Sequence, residues 1–130
     1  MRWLLAILYL VAGWYHLSAP HTFLAIMPGW VPAPEEVVLW TGIAEALGAI
    51  ALLQPFSLPL RRAGAIGLAL YAICVFPANI NHFALDMARQ DGGFGLAYHL
   101  PRMVLQPVLV WLALWTGGVI EWPFGQQRRR

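Results

Sequence analysis

Charge is what this sequence has least of. Only 11% of its 130 residues are charged, less than half of the quarter or so usual in soluble domains. Lysine is absent, and all eight basic residues are arginine, at 2, 61, 62, 89, 102, 128, 129 and 130. That scatter makes no basic face for a nucleic acid. The terminal arginine triplet reads instead as a topology signal or a lipid head-group contact. Cysteine occurs once, as Cys74 in an apolar run, which excludes an internal disulfide and a Cys-x-x-Cys redox pair. Nucleotide, haem and flavin motifs are missing, and no H-E-x-x-H spacing marks a metal site. An internal repeat is also missing, which speaks against a transporter built from inverted halves.

Apolar residues are abundant, at 60% of the chain. A bilayer core takes roughly 20 of them as a helix, and four stretches reach or approach that length: 3–18, 37–53, 63–85 and 100–120. They predict an all-α polytopic membrane protein, a four-transmembrane-helix bundle forming one membrane domain over 1–130, with a basic tail at 123–130. The first stretch has a single arginine before it and carries Trp14-Tyr15-His16 where a signal peptide would be cleaved, so it reads as a retained span. Pro20, Pro28, Pro32 and Pro34 break the first connection, and Pro55 and Pro59 bracket the second, which ends in Arg61-Arg62. The third, from Asp86 to His99, is rich in glycine and reads as mobile. Within the first connection, "HTFLAIM" (21–27) puts Phe23, Ile26 and Met27 at helical spacing, as in a short interfacial helix roofing the outer end. Four spans would leave six arginines on the side of the termini and two on the other, placing both termini in the cytoplasm. A lysine-free composition rich in Ala, Leu, Trp and Gly fits a GC-rich bacterium, hence its cytoplasmic (inner) membrane.

The few polar residues inside the apolar stretches must be explained. A mid-span carboxylate costs at least about 2.5–3.5 kcal/mol on insertion scales, and Glu45 lies roughly 13 Å into its helix at 1.5 Å per residue. Two readings apply: a structural pair with Arg102 or His16, or a proton acceptor whose neighbours tune it. Helical spacing aligns Tyr9, Ala12, Gly13 and His16; Tyr71, Val75, Asn79 and His82; and Tyr98, Arg102 and Gln106. All the polar members fall toward the outer end. Pro77 and Pro107 each remove a backbone donor and kink their helices, with Asn79 and Asn81 satisfying the groups exposed by Pro77. Two kinked helices splayed outward would open a pocket. The candidate catalytic residues are therefore Glu45 and His16. The candidate ligand-binding residues are Asn79, His82, Arg102, Gln106, Tyr71 and Tyr98. Asn81 is expected to point elsewhere, toward a neighbour or the interface. A metal centre from His16, Glu45, His82 and His99 has no supporting spacing, and no metal is expected.

The runs "AGWYHL" (12–17), "FLAIMP" (23–28), "TGIAEALGAIALL" (41–53), "VFPANINHF" (75–83) and "LPRMVLQPVLVWLALW" (100–115) resemble, in order and over nearly the whole chain, the DoxX-like family of small four-helix bacterial membrane proteins. The resemblance implies that His16, Glu45, Pro77, Asn79, Arg102 and Gln106 occupy recurring polar positions of that family. It also implies a redox-associated role, since some members are associated with quinone-linked oxidation. Wider relatives use cysteine pairs; this chain departs from them with its single Cys74. The expected function is an outward-facing intramembrane pocket that binds, or acts on, a lipid-soluble molecule such as a quinone or isoprenoid. As an enzyme it would be a quinone-linked oxidoreductase or an acid–base catalyst on a lipophilic substrate. The alternative is a non-catalytic subunit or assembly factor, whose polar cluster is internal glue and whose Gly64 and Gly67 dock a partner or a second copy. Membrane lipids and a lipophilic small molecule are the expected partners, and nucleic acid is not.

Overall fold

The computed structural model describes residues 1–123, so the arginine triplet assigned to the tail lies outside the described residues. The described residues form five helices: α1 (Arg2–Ser18), α2 (Pro20–Leu24), α3 (Pro34–Leu53), α4 (Leu58–Ala88) and α5 (Leu96–Thr116). Local chemistry places most of their ends. Pro34 opens α3 with Glu35 and Glu36 in the first turn, where proline lacks no needed donor and carboxylates face the positive end of the dipole. Ser57 caps α4, its side chain accepting from Leu60 N at 3.3 Å. At the far end of α5, Gly118 takes φ +77 and Val119 N returns to the Leu114 carbonyl at 2.9 Å.

The four-span bundle with both cytoplasmic termini is overturned. Only α3 and α4, with mean hydropathies of 1.7 and 1.8, are long and apolar enough to cross a membrane among the described residues. α1 has 17 residues, about 26 Å at 1.5 Å per residue, which is short of the roughly 30 Å hydrocarbon layer. α5 has 21 residues, but His99, Pro101, Arg102, Gln106 and Pro107 dilute its apolar stretch. Without four spans, the arginine count no longer places both termini in the cytoplasm.

Several boundaries also move. The short first-loop helix covers Pro20–Leu24, and single turns carry the chain on to Met27. α4 starts at Leu58, so Arg61 and Arg62 lie in its first turns rather than in the connection. There they serve carbonyls of neighbouring segments, Arg61 Nη2 to Gln54 O at 3.4 Å and Arg62 Nε to Gly118 O at 3.0 Å. α4 also runs on to Ala88 and takes Asp86 out of the third connection. That connection is pinned by Asp91, which accepts two hydrogen bonds from Arg89 and one from Gly93 N. Arg89 holds the Asp91 carboxyl well below the usual carboxylate range. Both side chains are mostly exposed, so the pair adds little stability.

The helices pack in the order α1–α3–α4–α5, and α1 barely touches α5. Small residues set the close crossings. Ala6, Ala49, Ala65 and Ala113 are fully buried, and at Gly13 a Cβ would stand 2.9 Å from the Gly42 carbonyl. With Leu5, Tyr9, Leu52 and Leu68 these alanines form an apolar core at one end of the bundle. The buried polar residues, His16, Glu45, Asn79, Asp86, His99 and Gln106, come from the opposite ends of the same helices. One half of the bundle is dry and tightly packed; the other holds the chemistry.

Candidate functional site

Where α1 and α5 fail to close on each other, a cavity of about 330 Å³ penetrates the polar half. It is lined by Tyr9, His16, Glu45, Tyr71, Asn79, Arg102 and Gln106, and roofed by Phe23, Ile26 and Met27 of the first connection. The structure thus brings together six of the eight sequence-predicted residues. His82 and Tyr98 are not among its lining. They stand behind Arg102, whose Nη1 donates to His82 Nδ1 at 2.7 Å and whose guanidinium lies 5.5 Å from the Tyr98 ring centre.

Glu45 is 2% exposed, and its partner is His16 rather than Arg102. His16 Nδ1 lies 3.0 Å from the Ala12 carbonyl. A carbonyl can only accept, so that nitrogen carries a hydrogen. Glu45 Oε2 approaches the same Nδ1 to 2.8 Å but lies off the line of a hydrogen bond and accepts none. The His16 ring is held in place by Phe23, stacked on it at 3.6 Å between centres. The Tyr71 hydroxyl donates to the same carboxylate, and Tyr9 meets Tyr71 edge to face at 6.2 Å. The Tyr9 hydroxyl is buried without a hydrogen-bond partner. Two unsatisfied polar atoms therefore lie together at one end of the cavity, where such atoms carry a full desolvation cost.

Behind Arg102 is a second cluster that sequence reasoning missed. Asp86 Oδ2 accepts from Phe94 N at 3.0 Å and from His99 Nε2 at 2.9 Å, and lies 3.5 Å from His82 Nε2. His99 is fully buried. Gly93, at φ +56, passes so close that an added Cβ would collide with the Asp86 carboxylate. Donor atoms of His82, Asp86 and His99 lie within 4.8 Å of one another, close enough for a metal by distance. The hydrogens argue otherwise. A guanidinium only donates, so Arg102 leaves His82 Nδ1 as acceptor and puts its hydrogen on Nε2, facing Asp86. His99 donates to Asp86 through Nε2, while its Nδ1 is buried without a hydrogen-bond partner. The cluster is a hydrogen-bonded anchor for Arg102. The i,i+4 spacing of His82 and Asp86 is the available sign, hidden when Asp86 is placed in a loop.

The two asparagines of α4 part company. Asn79 is buried and faces the cavity. Asn81 donates to the Ile26 carbonyl at 2.9 Å and ties α4 to the roof. Neither is bonded to the Ile73 carbonyl that Pro77 frees; Gln106 Nε2 donates to the neighbouring Ala72 O at 2.8 Å. Pro77 and Pro107 both lie inside continuous helices. Phe76 and Pro107 line a second, apolar cavity of about 370 Å³ between α4 and α5. Asn81→Ala is expected to cost about 1 kcal/mol, one net hydrogen bond, and to loosen the roof in hydrogen exchange. Asn79→Ala should leave the roof protected and act on cavity occupancy. Equal effects in both assays would contradict this division.

The sequence matches, over residues 5–117, the family model described as Domain of unknown function (DUF8561), and the chain belongs to that family. No curated protein matches the chain, and no solved structure matches it.

Proposed function

We propose that this DUF8561 member is a membrane-embedded binding protein for a lipid-soluble small molecule, of the size and polarity of a quinone or isoprenoid head. The observation that carries this reading is the cavity itself. Its inner end holds the unpartnered Glu45 Oε2 and Tyr9 hydroxyl, and its side between α1 and α5 is bordered by the exposed apolar Leu8, Cys74 and Leu105. Such a mouth admits an apolar body from lipid while a polar head reaches the carboxylate.

The membrane setting rests on the α3–α4 hairpin. Only 33% and 28% of its two apolar windows are buried, unlike the core helices of a water-soluble bundle. Trp40, Leu47, Ile50, Leu70 and Ile73 all face outward. The hairpin would cross the inner membrane of a bacterium. The DoxX-like resemblance fits a redox-associated role, in which Glu45, backed by His16, would accept a proton from the bound molecule.

Protein purified in mild detergent, extracted and analysed by mass spectrometry should carry a stoichiometric lipophile. Glu45→Gln should keep the thermal unfolding midpoint within a few degrees and lose most of that molecule. Ligand-free wild-type protein that also takes up no added quinone or prenol would sink the reading.

A second reading, a docking subunit, draws on the groove between α3 and α4. It is lined by Gly48, Gly64, Gly67 and Leu60, beside Phe56 at 93% exposure. Gly64 is already packed on Ala51, whereas Gly67 is open, so Gly67 is the position to test. Crosslinking through a cysteine at 67 in native membranes should trap a second copy if this reading holds.

A further inference from the structure

Resting on the binding role proposed above, we infer that the cavity selects an uncharged head that donates a hydrogen bond, a phenol or alcohol on an apolar body, over heads that only accept or that carry negative charge. The inner end of the cavity needs a donor. Glu45 Oε2 is buried and accepts no hydrogen bond: the one Nδ1 hydrogen of His16 points at Ala12 O, and the hydrogen bond that Tyr71 gives the carboxylate leaves this oxygen open. The Tyr9 hydroxyl beside it is also unpartnered. A hydroxyl arriving from the ligand would satisfy the carboxylate oxygen, and hydrogen bonds to a charged acceptor are the stronger kind. A carbonyl or ether oxygen in the same place could accept from the Tyr9 O–H but would leave Glu45 Oε2 without a hydrogen.

Arg102 supplies the complementary contact. One of its nitrogens is taken by His82, and its remaining N–H groups have no acceptor among the described residues. The ligand's second oxygen can therefore accept from Arg102 while its hydroxyl donates to Glu45. The balance of charge decides against an anion. In the cavity the Glu45 carboxylate already faces the Arg102 guanidinium, which Asp86 backs from behind through His82. Adding a phosphate would leave two negative groups facing one fixed positive group where water is scarce.

The test uses three probes of the same chain length: an alkyl hydroquinone, its dimethyl ether and the alkyl phosphate. Each is titrated into the full chain in nanodiscs of neutral lipid, with bound probe measured after separation. The hydroquinone should bind at least about tenfold more tightly than the ether, the value of one charge-assisted hydrogen bond, and the phosphate should bind most weakly. Glu45→Leu should bring hydroquinone and ether to within about twofold of each other; an unchanged preference would overturn the assignment to Glu45. Equal binding of hydroquinone and ether by the wild type, or tightest binding of the phosphate, would overturn the selectivity and leave the binding role standing. Binding of none of the three would remove the binding role itself.

Discussion

Replacing His99 by leucine should destabilise the protein by about 1.5–3 kcal/mol, the range for losing a buried hydrogen bond to a charged group. His99 is fully buried and donates to Asp86 Oδ2 at 2.9 Å. Leucine fills similar space but takes away one of the hydrogen bonds to Asp86 Oδ2, leaving it the Phe94 N–H. The loss should spread, because His82 and through it Arg102 lean on the same Asp86. Ligand affinity should therefore fall together with the midpoint of thermal unfolding in detergent. His99→Gln, whose amide nitrogen reaches about as far as Nε2, should recover most of both. A leucine variant that costs under about 1 kcal/mol, one ordinary neutral hydrogen bond, would show that Asp86 does not depend on His99.

Gly42→Leu is the second large effect. α1 and α3 cross here, and a Cβ on residue 42 would stand 2.8 Å from His16 Cβ and 3.3 Å from the Gly13 carbonyl. Backbone cannot yield as a side-chain tip can, so about 1–3 kcal/mol of overpacking follows. The helices must move apart at the point where His16 meets Glu45 at 2.8 Å, and bound lipophile should be lost even from protein that still folds. Gly67→Leu is the control. Nothing lies within 4 Å of its added Cβ, so its stability should stay within about 0.5 kcal/mol of wild type. If Gly67→Leu abolished crosslinked dimers at unchanged stability, the docking role of that groove would gain direct support. A Gly42→Leu protein of wild-type stability and occupancy would show that the two helices do not need to approach so closely.

Much of this site is legible in the amino-acid sequence. The 3.6-residue period puts Tyr9 and His16 on one face, and Tyr71 and Asn79 on another, whatever they pack against. The expense of a carboxylate in an apolar run singles out Glu45. Glycine and alanine at helical spacing mark where backbones can approach. Features that depend on a second segment are not legible in this way. Asp86 looks like a loop residue because the apolar run ends before it, yet hydrogen bonds to His99 and Phe94 make one more helical turn worthwhile. The count of four spans fails because the apolar stretches belong to helices that end elsewhere or are diluted by polar groups.

By itself, then, the sequence determined an all-helical chain, the positions of its proline and glycine breaks, and which residues of each helix share a face, because backbone geometry and local capping are short-range. Only the tertiary structure decided that Glu45 pairs with His16 while Arg102 turns to His82. Partner choice depends on the register and distance between helices, which follow from the packing of Gly13, Gly42 and the buried alanines and are encoded in no single segment's spacing. The same packing leaves α1 and α5 apart and so opens the side of the cavity.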